Sequence, residues 1–215
     1  MVKAAGSEAE APTGHADLQL VQRTTVEQAI DGPLFRSFHK EILRATASSG
    51  RCLAIVRKLR PDVPRRGAVL LIHGFAQNRY TWHLSTRSLV NFFADAGLDV
   101  YNMELTGHGR SREFGSSSAN SFEDYVLDAS SVVGKVAEYS GHERIFLMGH
   151  SLGGAVCYAI APRVTDQLAG VVTVAGMFGF GSNPITLWAG RLVTKLAGRS
   201  AFLNRLGASF WTRSI

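Results

Sequence analysis

Residues 145–154 read IFLMGHSLGG: four apolar residues, then Gly149-His150-Ser151-Leu152-Gly153, then a further glycine that opens a small-residue segment. An apolar strand before and a small-residue helix after form the setting in which G-x-S-x-G makes a sharp strand-to-helix turn. The glycines have a steric purpose. Side chains two positions either side of the serine would collide with the neighbouring strand and helix, and the serine itself sits on a strained turn. The turn lifts the Ser151 hydroxyl above the sheet edge. It also sets the Leu152 N–H at a helix N-terminus, where a developing negative charge is favoured. Ser151 is therefore a candidate nucleophile, and Leu152 a candidate donor to an oxyanion.

Working outward, the segment 68–72 (AVLLI) is a continuous apolar run, as expected of a strand covered on both faces. Strand-like segments also occur at 38–45, 51–58, 98–103, 145–148 and 171–175. Leu89, Phe92, Phe93 and Ala96 recur at helical spacing before Gly97, a natural helix stop. Ser121, with Asp124 three residues on, resembles a capping box. The helix it starts has the apolar face Phe122, Tyr125, Val126, Ala129, Val132, Val133 and Val136. Strands alternating with helices across short connections predict an α/β fold, a doubly wound, mostly parallel sheet with an antiparallel beginning. Chemistry in such sheets collects beyond the carboxyl ends of the strands. The strand at 68–72 ends there in His73-Gly74-Phe75; His73 and Gly74, with His150 of the serine turn, are candidate binding residues, and a structural place suits both histidines as well.

Three segments, LLIHGF (70–75), FFADAGLDVYNMELTGHGRSR (92–112) and GHSLGG (149–154), together resemble the α/β-hydrolase superfamily, in the manner of lipases and esterases with an HG-x oxyanion loop. The resemblance covers roughly residues 38–182. It implies a serine hydrolase acting on a carboxylic ester or similar acyl bond of an apolar small molecule, through an acyl-enzyme on Ser151. The backbone N–H groups of Phe75 and Leu152 would hold the oxyanion, and no metal or organic cofactor is called for. Members often carry Asp where Glu104 stands before the Gly107-His108-Gly109-Arg110-Ser111 loop.

The same resemblance implies the chain order Ser, then acid, then His. The last acid here is Asp166 and the last histidine is His150, so the triad partners are absent from residues 152–215. The alternative reading is thus a catalytically incomplete fragment or a non-catalytic binding module. Hydrolysis and acyl transfer are not separable at this stage. At 215 residues the chain is short for a fold of this kind, and its C-terminal strands are expected to be missing. The expected organisation is a flexible N-terminal tail (1–36), a hydrolase core (37–182) and the start of a helical lid (183–215). Ile185, Trp188, Ala189, Leu192, Val193 and Leu196 recur there at helical spacing, which also suits a packing helix or a membrane-surface helix.

Charge and composition exclude several classes. The net charge is +6, but five cations and no acid lie in 183–215, which leaves 1–182 near neutrality. No Lys/Arg cluster is interleaved with aromatics, so nucleic acid is not an expected partner. The uncharged stretch 168–190 is interrupted by Ser182-Asn183-Pro184 and several glycines, which suits a strand and loop better than a membrane span. The N-terminus lacks the apolar run of a secretory signal, and Cys52 and Cys157 are far apart, without metal-ligand spacing. A reducing, cytoplasmic location is expected. Oligomeric state is not legible.

Overall fold

The computed structural model describes residues 18–116 and 118–176. Within them, seven strands form one sheet: β1 (Leu18–Asp31), β2 (Leu34–Thr46), β3 (Cys52–Leu59), β4 (Gly67–Ile72), β5 (Leu98–Glu104), β6 (Ile145–His150) and β7 (Leu168–Val174), in the order β1-β2-β3-β5-β4-β6-β7. β1, β2, β3 and β5 pair antiparallel, whereas β5, β4, β6 and β7 are parallel. This is the doubly wound, mostly parallel sheet expected, entered through antiparallel strands.

Four α-helices accompany it: α1 (Leu89–Asp95), α2 (Gly109–Glu113), α3 (Phe122–Ser140) and α4 (Leu152–Ile160). From β4 the chain steps one way to β5 and then back across β4 to β6 and β7. Right-handed crossovers therefore send α1 to one face and α3 and α4 to the other. The buried apolar residues divide accordingly. One cluster joins Leu70, Ile72 and Leu147 to Val132 and Val136 of α3 and Val156 and Ile160 of α4; the other joins Val69 and Leu71 to Val90 and Ala94 of α1. The reversal at β4 opens a crevice beyond the carboxyl ends of β4 and β6, where the candidate site residues stand.

Several expectations are corrected. Residues 18–36, assigned to a flexible tail, are strand β1 and the start of β2, paired from Leu18↔Ala45 to Asp31↔Leu34. β1 is an edge strand held by its backbone ladder and by buried Leu18, Ala29 and Ile30, so its composition is polar. The signal was the turn Asp31-Gly32, with Gly32 at φ 54, following a Thr-Thr-Val run. Residues 1–17 and the expected lid at 183–215 lie outside the described residues. The buried face of α1 is Val90, Asn91 and Ala94, while Phe92 is 55% exposed. Leu89 and Phe93 pack against the core as their spacing suggests, and a polar residue shares that face: Asn91 donates to the Ala29 carbonyl at 2.7 Å and accepts from Lys58 Nζ at 2.8 Å. α2 was read as a loop. The Ser121–Asp124 capping box of α3 is present, and Gly141 at φ 72 ends the helix, but Phe122 is largely exposed.

β3 carries a buried cation toward each face. Arg57 forms a bidentate pair with Asp99 (2.8 and 2.6 Å), bonds Glu41 at 2.9 Å, and stacks against Tyr101 and Tyr139. Burial opposes its charge; the bond to Asp99 and the neighbouring Tyr101, Asp99 and Glu41 outweigh that, and its pKa is raised. Lys58 instead donates to neutral acceptors, Gln28 and Asn91. Burial, with Lys40 and Arg79 nearby, pushes it down to about 7.

Candidate active site

Ser151 follows β6 directly and caps α4, at φ 52 and ψ −115. No L-residue adopts that backbone without cost, because Cβ crowds its own peptide groups. The surrounding glycines make the turn possible. A Cβ on Gly149 would stand 2.3 Å from the Gly153 carbonyl oxygen, one on Gly153 would stand 2.3 Å from the Ile72 carbonyl oxygen, and one on Gly154 would stand 2.7 Å from Gly176 Cα. Gly153 thus lets α4 approach the end of β4, which brings the serine turn beside the His73-Gly74 loop. Ser151 is part-exposed, and its own N–H donates to the Val174 carbonyl at 3.0 Å, so that group is occupied. Leu152 is the first residue of α4, and its N–H has no acceptor within the helix.

Backbone strain is concentrated here. Among the described residues only three non-glycine residues have positive φ: Ala76 (55), Ser151 (52) and Ala175 (50). They follow β4, β6 and β7, each at a carboxyl end facing the crevice. Each such residue costs about 1–3 kcal/mol. Strain gathered at one edge of a sheet marks a place where geometry has been kept at the expense of stability.

The loop after β4 contains the second strained residue. Phe75 is 73% exposed, and among the described residues nothing accepts from its N–H. Gln77 Oε1 accepts from the Gly74 N–H at 3.0 Å, from Thr81 Oγ1 at 3.1 Å, and bonds His150 Nδ1 at 3.0 Å. Gly74 is required for that approach: a Cβ there would be 2.6 Å from Gln77 Oε1 and 3.0 Å from His150 Nδ1. The ring of His150 meets Trp82 edge-on, with centroids 6.2 Å apart.

The structure gives His73 a role other than binding. It is fully buried; Nδ1 lies 2.8 Å from the Gly74 carbonyl oxygen, and Nε2 accepts from the Leu105 N–H at 3.1 Å. Both ring nitrogens are spent on backbone, which fixes the neutral Nδ1–H tautomer and ties the end of β4 to the end of β5. Burial pushes its pKa down to about 4, partly offset by the bond to Gly74. Gly74 and His150 remain at the crevice.

Glu104, where an aspartate was the commoner expectation, is fully buried and accepts from Arg79 Nη1 at 2.9 Å and the Arg110 N–H at 2.7 Å. Its extra methylene is accommodated by Gly109, at φ 43, where a Cβ would stand 2.0 Å from Glu104 Oε1. Glu104 thereby joins the short 3-10 turn Arg79–Trp82, which follows the Gly74 loop, to the start of α2. Gln77 and Arg79 were not singled out from sequence. Gln77 acts on His150, 73 positions away, and no local pattern announces such a contact. Among the described residues no group of three or more His, Cys, Asp or Glu could hold a metal ion, and no helix is long and apolar enough to cross a membrane.

Comparison with known proteins agrees with this geometry. Residues 63–215 match the family described as serine aminopeptidase, S33. The chain is 28% identical over 141 residues to a monoacylglycerol lipase of Mycolicibacterium smegmatis, covering 64% of this chain and 48% of the relative. It is 32% identical over 122 residues to epoxide hydrolase B of Mycobacterium tuberculosis, covering 54% of this chain and 32% of that protein. The chain thus spans less than half the length of either relative. Among solved structures, a thermophilic esterase from Thermogutta terrifontis superposes with a TM-score of 0.53 at 22% identity, over 74% of this chain and 54% of that one, a likeness of fold. The sheet order, the strained Ser151 turn and the family match converge: the chain belongs to the serine aminopeptidase S33 family of the α/β-hydrolase superfamily.

Proposed function

We propose that Ser151 is the nucleophile of an acyl hydrolase acting on a carboxylic ester, or a similar acyl bond, of an apolar small molecule. The observation that carries this reading is the backbone of Ser151, at φ 52 and ψ −115 among glycines where an added Cβ would stand 2.3 to 2.7 Å from neighbouring backbone. The hydroxyl oxygen would attack the substrate carbonyl carbon. The Phe75 and Leu152 N–H groups would receive the oxyanion, the alcohol would leave with a proton, and water would release the acid from the acyl-enzyme. The monoacylglycerol lipase and the epoxide hydrolase suggest different substrates, and the elbow residue favours the ester. An epoxide opened by a serine hydroxyl leaves an ether that water does not cleave, whereas an acyl-serine is readily hydrolysed. Hydrolysis of p-nitrophenyl esters of increasing acyl length, lost in Ser151→Ala, is the expected result; hydrolysis that survives Ser151→Ala refutes it.

A second reading has its own support. Residues 152–215 contain Asp166 as their only acid and no histidine, so these residues do not supply a Ser–acid–His order for Ser151. On this reading the protein binds an acyl compound beside Ser151 without turning it over. Ester binding without release of p-nitrophenol favours it; turnover dependent on Ser151 excludes it.

A further inference from the structure

We infer that Gln77 is a positioning residue: its side-chain oxygen clamps the oxyanion loop to the nucleophile elbow and fixes the proton of His150 on Nδ1. The inference rests on the reading of Ser151 and Phe75 given above, but its first consequence is independent of catalysis.

The hydrogen-bond chemistry leaves one assignment. A backbone N–H can only donate, so the Gln77 atom 3.0 Å from the Gly74 nitrogen is the carbonyl oxygen and not the amide nitrogen. That same oxygen lies 3.0 Å from His150 Nδ1. Since an oxygen without hydrogen can only accept, Nδ1 must carry the proton, and in the neutral ring Nε2 is left as the acceptor. A third donor, the Thr81 hydroxyl at 3.1 Å, meets the oxygen from the following 3-10 turn. One atom therefore joins the loop after β4, the turn Arg79–Trp82 and the residue immediately before Ser151.

The steric evidence is separate and agrees. A Cβ on Gly74 would stand 2.6 Å from Gln77 Oε1 and 3.0 Å from His150 Nδ1, so a larger residue there would push the Gln77 side chain away from the loop. Between Gly74 and Gln77 the chain turns through Ala76 at φ 55, and the Gly74–Gln77 bond closes that strained turn from inside. Phe75 lies within the turn, which is closed by the Gln77 side-chain bond together with a longer backbone bond from the Gln77 N–H to the Gly74 carbonyl at 3.4 Å, so the side-chain bond helps to set the direction of the Phe75 N–H. Without the clamp the turn can relax, and a donor displaced by even an ångström no longer meets the oxyanion.

The test combines histidine 15N NMR with fluorophosphonate labelling of the full chain. In the wild type, His150 should carry its proton on Nδ1; an Nε2–H tautomer there overturns the proposal without any variant. Gln77→Leu should move His150 toward the Nε2–H tautomer and slow labelling of Ser151 about tenfold, with the circular dichroism unchanged. Gln77→Glu keeps an acceptor oxygen at the same reach and should restore the Nδ1 proton. A Leu variant that keeps both the tautomer and the labelling rate refutes the clamp, and a changed tautomer with unchanged labelling refutes its effect on the oxyanion loop. Absence of any label on wild-type Ser151 counts against the nucleophile, and the tautomer measurements still decide the role of Gln77.

Discussion

Acid should destabilise this protein in part through His73. Its imidazole is fully buried, with Nε2 accepting from Leu105 and Nδ1 against the Gly74 carbonyl. A second proton would have to displace the Leu105 bond and place a charge in the core. The ring titrates at 6.5 when unfolded and at about 4 when folded. The unfolded chain therefore binds more protons between those values, and stability present above pH 6.5 is lost as the pH falls toward 4. Linkage over that interval amounts to about 2 kcal/mol by about pH 5 and about 3 kcal/mol by about pH 4. His83, lowered to about 3 by burial with Lys58, Lys40 and Arg79 nearby, acts in the same direction, so the measurement has to be differential. Urea unfolding should be followed by circular dichroism at about pH 7.5 and about pH 5, for the wild type and for His73→Gln, a polar residue that does not titrate. With a urea slope of about 2 kcal/mol per molar, the wild-type midpoint should fall by about 1 M more than that of the variant. Equal falls in the two proteins would refute a neutral, buried His73.

Three further substitutions have defined outcomes. Gly153→Ala would drive a Cβ to 2.3 Å from the Ile72 oxygen and 2.5 Å from the His73 oxygen; it should cost about 1–3 kcal/mol or more in urea unfolding and reduce Ser151 labelling. Arg57→Met removes the cation shared by buried Asp99 and Glu41, leaving them Arg65 at 3.6 Å and Arg23 at 2.9 Å, and should cost about 3 kcal/mol by the same assay. Ala76→Gly relieves a positive φ of 55; it should raise folding stability by about 1 kcal/mol, offset in part by the greater freedom of glycine when unfolded. Thermal midpoints would register its sign.

The sequence announced the parts of this protein that depend on local chemistry. Ser151 and its glycines are read directly from spacing, because a strand-to-helix turn that tight admits few residues, and the apolar run at 68–72 marks a strand covered on both faces. What escaped was decided by partners distant in sequence. β1 is polar because an edge strand is held by its ladder to β2. The spacing of α1 marks Leu89 and Phe93 on its core side, but not Asn91, which is buried for the sake of Lys58 and Ala29. His73 stood open between a structural and a binding place because nothing local shows that Leu105 occupies its second nitrogen, and Gln77 escaped because its partner is 73 positions away.

The identity of the nucleophile remains the centre of the account, and covalent labelling addresses it without requiring turnover. The purified chain should be treated with a fluorophosphonate, digested, and the adduct mapped by mass spectrometry. The account predicts a single adduct on Ser151, absent from Ser151→Ala. An adduct on another residue, or equal labelling of the alanine variant, would contradict it.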